Sequence, residues 1–245
     1  MRWIRYFLLI VSLVVIQTAI FPSLRVFGAV PDLLLVATVA VAYERGQSDE
    51  LLAQADLLAE LYPDSLAARA VRVIGLAEAG RADEERCELE AMAAEGLAQI
   101  PGTLEWMLAL GILSEVCADL GHAEIARRVY ALLEPRADDW IVAGNGRYLF
   151  GPVALHLGQL ALTFADLDTA ERHLETALER AETMRSPPWR AHVLAALALV
   201  CEQRATSASR RRAKAFAGEA TVIAEGFGMA RVLRKLAPLR QALSA

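Results

Sequence analysis

The stretch that decides the fold is 154-ALHLGQLALTFADLDTAERHLETA-177. Its apolar and small residues recur every three or four positions, which is the spacing of amphipathic helices. Small residues at Gly158, Ala170 and Ala177 let two neighbouring helices approach closely. We therefore predict a helical hairpin in which the second helix packs tightly against the first.

The second helix of this hairpin has counterparts on both sides along the chain. Triplets of small or apolar residues with offsets of four and three begin at Ala126, Ala170 and Ala213, so the same face returns after 44 and then 43 residues. The full triplets are Ala126, Tyr130 and Leu133; Ala170, Leu174 and Ala177; and Ala213, Ala217 and Ala220. A helical unit that recurs in this way buries its apolar face by stacking on its neighbours. A more distant copy follows Gly80, but Glu85 occupies the position of a small residue there.

The spacing within the quoted stretch, with Leu157-Gly158 in its first helix, is that of a tetratricopeptide repeat. Gly and Pro interrupt the helical pattern at intervals, and no long stretch of this region keeps a period of two. We predict an all-α fold, a tetratricopeptide-like helical solenoid over residues 47–245, with an irregular helical bundle as the alternative. The expected unit has about 34 residues, and we assign the excess to a loop over 137–147 and to the polar segment before Arg210.

Residues 1–46 carry few charges compared with the rest of the chain, in which acidic and basic residues recur every few positions. Two apolar runs, at about 4–20 and 27–43, are separated by a turn at residues 21–25. As a helix the first run reaches about 26 Å, close to the roughly 30 Å of a bilayer's hydrocarbon core. We predict a transmembrane helical hairpin that precedes the repeats.

The charges near the first span predict its orientation. Arg2 and Arg5 flank this span, and positive charge favours the cytoplasmic side. Two crossings then return the chain to the cytoplasm. A single anchor, an uncleaved signal and a cleaved signal peptide are alternatives, since residues 1–5 and 7–20 also fit the charged and apolar regions of a signal.

A first resemblance rests on the amino-terminal segment. Its residues are Gln17, Pro22 to Leu24, Pro31 to Leu35 and Tyr43 to Gly46. With these, residues 1–46 resemble the first two helices of the MreD family of rod-shape-determining membrane proteins. The resemblance implies a bacterial inner (cytoplasmic) membrane location, with the repeat domain in the cytoplasm. The further spans of that family do not follow Gly46.

A second resemblance covers nearly all of residues 50–243. It is carried by Tyr62 to Asp64, Gly80 to Glu84, Leu113 to Cys117, Leu120-Gly121, Gly151 to Val153, Leu157-Gly158, Ala170 to Leu174 and Ser186 to Trp189. Together these resemble the C-terminal tetratricopeptide-repeat region of bacterial LuxR- and AfsR-type regulators and of adenylate/guanylate-cyclase-like ATPases. In those proteins the region is an interaction or sensing arm, and catalysis lies elsewhere. The resemblance implies a non-catalytic regulatory arm.

The sequence offers no pattern typical of an active site. Gly144-Asn145-Gly146 lacks the third glycine and the lysine of a phosphate-binding loop. The four histidines are scattered and form no HExxH motif. No GxSxG motif is present. We expect no enzymatic activity, no cofactor, and no catalytic, cofactor-binding or metal-binding residues.

Charge and cysteine content argue against a nucleic-acid-binding protein and against a disulfide-rich or zinc-binding one. A formal net charge of −5 and a pI near 5.5 argue against nucleic acid as a partner, because nucleic-acid-binding domains usually carry a basic field. The three cysteines, Cys87, Cys117 and Cys201, are widely separated on apolar helical stretches. We expect them to be reduced and buried, without a disulfide framework or a zinc site.

The functional hypothesis is a membrane-tethered, non-catalytic protein-interaction scaffold or regulatory arm of a bacterial signalling system. It would bind a protein or peptide in the groove of the repeats. Glu115 and Gln159, polar residues on otherwise apolar first helices, are the candidate partner-binding residues, with ordinary exposure as the alternative explanation. Alternative functions are an MreD-like membrane component of the cell-shape or elongation machinery with an appended repeat domain, and a fusion or gene-model artefact of two unrelated halves.

Overall fold

A computed structural model describes residues 48–97, 104–143 and 148–242 of the chain. Helices account for 82% of these residues, which confirms the all-α class. The predicted membrane hairpin lies outside the described residues. None of the described helices combines the length and the apolar character that a membrane crossing needs.

Ten α-helices and one β-hairpin make up the described part. In chain order they are α1 (Ser48–Leu61), α2 (Leu66–Glu78), α3 (Ala82–Glu95), α4 (Leu104–Leu120), α5 (Ala123–Leu133), β1 (Trp140–Ala143), β2 (Tyr148–Pro152), α6 (Val153–Thr163), α7 (Leu167–Thr183), α8 (Pro187–Gln203), α9 (Ser207–Phe227) and α10 (Ala230–Ala242). A short 3₁₀ turn, Glu134–Arg136, follows α5.

The helices stack in pairs along the chain. We call α2, α4, α6 and α8 the inner helices, and α3, α5, α7 and α9 the outer helices. Each outer helix packs against the inner helix that precedes it, and the inner helices also contact one another in sequence order. Helix α1 packs against α2, ahead of the first pair, while α10 folds back against α8 and α9.

The same backbone conformation ends each inner helix. Within two residues of the helix end, Gly80, Gly121, Ala165 and Ala205 adopt a positive φ of 71°, 66°, 62° and 54°. Residues with a Cβ rarely occupy this left-handed region. All four turns from an inner to an outer helix therefore share one left-handed conformation, which is a common end of α-helices and also occurs at Arg185 after α7.

Polar side chains set the starts of several helices. Ser65 precedes α2 and accepts a hydrogen bond from the Ala68 amide at 3.0 Å. Asp166 precedes α7 and accepts one from the Thr169 amide at 3.1 Å. Such caps satisfy amide groups that have no partner within the helix. They favour the start of a helix directly after Ser65 and Asp166.

The predicted ladder of triplets lies between the layers. All of its residues are buried except Tyr130, which is partly buried and whose hydroxyl lies 2.9 Å from His173 Nε2. In the degenerate copy on α3, Glu85 and Leu89 are buried in the same manner. The repeated face predicted from the sequence is therefore confirmed, and in the first pair it includes a carboxyl group.

Gly158 sets the separation between α6 and α7. A Cβ at this position would lie 2.5 Å from Leu174 Cγ and 3.2 Å from the Ala170 carbonyl oxygen. The first contact is shorter than real Cβ atoms show, so Leu174 or its helix would have to shift, and the second would need a shift of a few tenths of an ångström. The close pairing predicted from Gly158 and Ala170 thus has a direct steric cause.

The segment 137–147, predicted to be a loop, contains part of a β-hairpin. Strands β1 and β2 pair antiparallel, and Ile141 of β1 is fully buried against α4. The hairpin fits there because Gly111 of α4 has no side chain: a Cβ would lie 2.7 Å from Ile141 Cδ1 and 3.1 Å from Phe150 Cδ1. Strands this short show too few alternations to be recognised as a period of two.

We predict that Gly158→Ala lowers the free energy of unfolding of the full chain by about 1–3 kcal/mol, because the added methyl group must displace Leu174. Urea denaturation of the full chain in mild detergent, followed by far-ultraviolet circular dichroism, measures the change. Gly218→Ala is the matched control, since no atom lies within 4 Å of a Cβ at that helical position. It should raise the stability by about 0.5–1 kcal/mol. An equal response of the two variants would contradict the steric role of Gly158.

Candidate functional site

Helix α10 covers the inner face of the stack and forms the centre of the candidate site. Val232, Leu236 and Leu239 lie on one side of it and are almost fully buried. They pack into an apolar cluster with small residues of α8 and α9, such as Ala195 and Ala217. An adjoining side of α10 is basic and faces the beginning of the stack.

The basic side of α10 contacts a group of acidic side chains, which we call the acidic cluster: Glu78 of α2 with Glu115 and Asp119 of α4. Arg231 lies at its centre, and its side chain is only 5% exposed. Its guanidinium nitrogens lie 3.3 Å from a Glu78 oxygen, 2.8 Å from a Glu115 oxygen and 2.9 Å from an Asp119 oxygen. One arginine therefore joins the first two inner helices to the last helix.

Two further cations of α10 complete this contact. Arg234 donates to Glu78 at 2.6 Å, and Lys235 lies 3.0 Å from Asp119. The Arg234 side chain is 56% exposed, whereas that of Arg231 is buried. Because exposed ion pairs contribute little and buried ones lose much when one partner is removed, Arg231 dominates the contact.

Burial shifts the pKa values of two groups in or near the acidic cluster, lowering that of Arg231 and raising that of Glu85. It lowers the pKa of the Arg231 guanidinium to about 9, which leaves this group protonated at neutral pH. Glu85 of α3 is nearly buried, and one of its carboxyl oxygens has no hydrogen-bond partner among the described residues. Burial first, and then the charges of Asp119 and Glu78, raise the pKa of Glu85 to about 7.

A cavity of about 340 Å³ lies beside α10 on the inner face. Residues from α4, α6, α8 and α10 line it, among them Glu115, Asp119, Gln159, Leu199 and Arg231. The side-chain oxygen of Gln159 is buried and has no hydrogen-bond partner among the described residues. We call the surface formed by the inner helices α2, α4, α6 and α8 the inner groove. Helix α10 lies in this groove and leaves the cavity beside it unfilled.

The two residues singled out from the sequence meet at this cavity. Glu115 is buried and ion-paired with Arg231, and Gln159 is partly buried on α6. Ordinary exposure is therefore the wrong explanation for Glu115. That both residues bind a partner stays a prediction, and the groove in which they lie is occupied by the chain's own helix.

Two histidines lie near the cavity but carry no charge. Burial lowers the pKa of His156 to about 4 and that of His192 to about 3. His156 donates from Nε2 to the Phe150 carbonyl oxygen at 2.9 Å. Both imidazoles are neutral at physiological pH, so they add no positive charge to the groove.

The cysteines differ in their surroundings. Cys117 and Cys201 are buried, as predicted, but Cys87 is exposed because α3 turns that side to solvent. Burial raises the pKa of Cys117 to about 12, so its thiol stays protonated. In the described ranges, no three His, Cys, Asp or Glu side chains come together in a way that could hold a metal ion.

Glu115 could be singled out from the sequence, but its partners could not. The signal for α10 was present: Arg231 and Lys235 are four residues apart, and Val232, Leu236 and Leu239 follow on a separate helical face. This pattern indicates a basic amphipathic helix. It does not indicate which acidic residues the helix would meet.

Comparisons of the chain with protein-family models, with curated proteins and with solved structures find no match. The site is therefore interpreted from its own geometry.

We predict that Glu85→Gln changes how stability depends on pH. The pKa of Glu85 is about 7 in the folded chain against an ordinary value near 4.5, so the unfolded chain loses this proton first as the pH rises. The free energy of unfolding of the natural chain should therefore fall between pH 4.5 and 7, by about 1–3 kcal/mol from this group. Glu85→Gln removes that loss and should be the more stable chain at pH 8.

Urea denaturation at pH 5 and pH 8 measures this difference. Glu179→Gln, a change of the same type at an exposed position of α7, is the control and should follow the natural chain at both pH values. If Glu85→Gln also follows the natural chain, Glu85 does not titrate in the folded state as described.

We predict that Arg231→Ala and Arg234→Ala have unequal effects. Removal of Arg231 takes the central buried counter-charge away from the acidic cluster, which costs about 3–5 kcal/mol. Removal of the exposed Arg234 costs about 1 kcal/mol or less. Amide hydrogen exchange of α10 in the full chain measures both, and similar protection of α10 in the two variants would refute the dominant role of Arg231.

Proposed function

We propose that the chain is a non-catalytic, membrane-tethered interaction scaffold whose tetratricopeptide-like domain binds a segment of a partner protein in the inner groove. The paired helices and the left-handed turn that recurs after every inner helix support the repeat assignment. Stacked helical repeats form extended surfaces that suit protein binding.

The observation that carries this proposal is the seating of α10 against the inner helices α2, α4 and α8 and beside the outer helix α9. The groove accommodates a complete helix of 13 residues, holding its apolar side against α8 and α9 and its basic side against α2 and α4. A surface with both kinds of contact can recognise an amphipathic segment. The cavity beside α10 provides further room for a ligand.

The polar residues of the groove serve binding better than catalysis. Glu115 and Asp119 are engaged by Arg231, and the nearby imidazoles are held neutral by burial. A general base needs a pKa near the working pH and access to a substrate proton. Glu85, whose pKa is suitable, is buried between helices.

The membrane tether rests on the apolar runs at about 4–20 and 27–43. They lie ahead of the first described helix, so an anchor there would leave the whole repeat stack outside the bilayer. With a cytoplasmic amino terminus, two crossings put the stack in the cytoplasm. There it would act as a regulatory arm in bacterial signalling, as the second resemblance implies.

Site-specific photocrosslinking in cells tests the proposal. A photoreactive residue replaces Gln159 in the groove or, as the matched control, Glu179 on the outer helix α7. The expected result is a defined protein adduct from position 159 that is absent from position 179, recovered in the membrane fraction. Identical adducts from both positions would refute binding in the groove, and recovery of the chain in the soluble fraction would refute the tether.

A further inference from the structure

We infer that the partner segment is a basic amphipathic helix that takes the place of α10, and that α10 is an internal competitor for the groove. This inference rests on the proposed function and specifies its ligand. Its basis is that α10 itself displays the chemistry that the groove accepts.

Charge complementarity defines one half of the ligand. The acidic cluster contacts Arg231 and Lys235, which are four residues apart on one side of α10. A replacing helix therefore needs two cationic side chains at this spacing. A neutral helix would leave Glu115 and Glu78 buried without counter-charge, and an acidic helix would be repelled, so the cluster selects for basic segments.

Apolar packing defines the other half of the ligand. We call the small residues of α8 and α9 that α10 contacts, such as Ala195 and Ala217, the apolar wall. Val232, Leu236 and Leu239 fit against small residues of α8 and α9. A partner helix must offer apolar side chains at the corresponding positions, one, five and eight residues after its first cation. Larger side chains can be accepted because the cavity lies beside Val232 and Leu236.

The construction of α10 suits a segment that leaves and returns. Pro238 lies inside the helix and cannot donate a backbone hydrogen bond. The connection to α9 consists of exposed Gly228, with a φ of 69°, and buried Met229, whose amide donates to the Ala224 carbonyl oxygen at 2.8 Å. Departure of α10 therefore requires rotation at one glycine and release of Met229, while α9 keeps its contacts with α8.

Peptide binding to the full chain tests the inference. The probe is a fluorescent synthetic peptide with the sequence of α10, ARVLRKLAPLRQA, and the control peptide carries Arg231→Glu and Lys235→Glu. The chain variant Leu236→Asp unseats α10 by placing a charge in the apolar wall, while it leaves the acidic cluster intact. Gln241→Asp adds the same charge at an exposed position of the same helix and is the matched control.

Fluorescence anisotropy should show at least about tenfold tighter binding of the α10 peptide to Leu236→Asp than to Gln241→Asp, because an occupied groove lowers the apparent affinity. The charge-reversed peptide should bind at least about tenfold more weakly than the α10 peptide. Adding Glu115→Gln to Leu236→Asp should weaken binding of the α10 peptide severalfold.

A second measurement uses the natural chain and does not depend on a variant. Saturation with the α10 peptide should accelerate amide hydrogen exchange in the chain's own α10, and the charge-reversed peptide should not. Equal binding of both peptides, or no binding to a chain whose α10 exchanges rapidly, overturns the inference. If position 159 still gives a specific photoadduct in that case, only the basic-helix ligand fails; if the adduct is absent as well, binding in the groove fails with it.

Discussion

The arrangement of the inner face depends on one buried ion contact, that of Arg231 with Glu78, Glu115 and Asp119. Removing charged groups from water costs several kcal/mol for each ion, and only close opposite charges and hydrogen bonds return this free energy. The cluster is therefore stable when all its members are present, and the loss of any one of them lowers the stability of the folded chain. Since its members come from α2, α4 and α10, the contact couples the beginning of the stack to its end.

Helix α10 also covers the apolar face of the pair α8 and α9. Within the described residues it follows this pair directly, and Leu236 and Leu239 supply the cover. A capping helix needs only apolar contacts for this purpose. The buried arginine and its three carboxylates go beyond this need, and under the proposed function they discriminate between segments that lie in the groove.

Local features of the fold could be predicted from the sequence, and distant contacts could not. The ladder from Ala126 to Ala220 repeats at a nearly fixed interval, and Gly158 marks a close helix contact, so both the helical class and the buried face follow from spacing alone. The β-hairpin was missed because its strands are short and its position depends on Gly111, which lies in a different helix. The partners of Glu115 were missed because Arg231 is more than a hundred residues away in the chain.

The charge balance at the groove links the degenerate repeat to the last helix. The three carboxylates of the acidic cluster face three basic side chains of α10, so this contact is neutral as long as the neighbouring Glu85 keeps its proton. Ionisation of Glu85, whose pKa is about 7, adds a negative charge close to two members of the cluster. The added charge attracts any basic helix in the groove, but an ionised carboxylate at the buried Glu85 position of α3 costs free energy. A small residue at this position, as in the other pairs, would remove that cost and also the extra attraction.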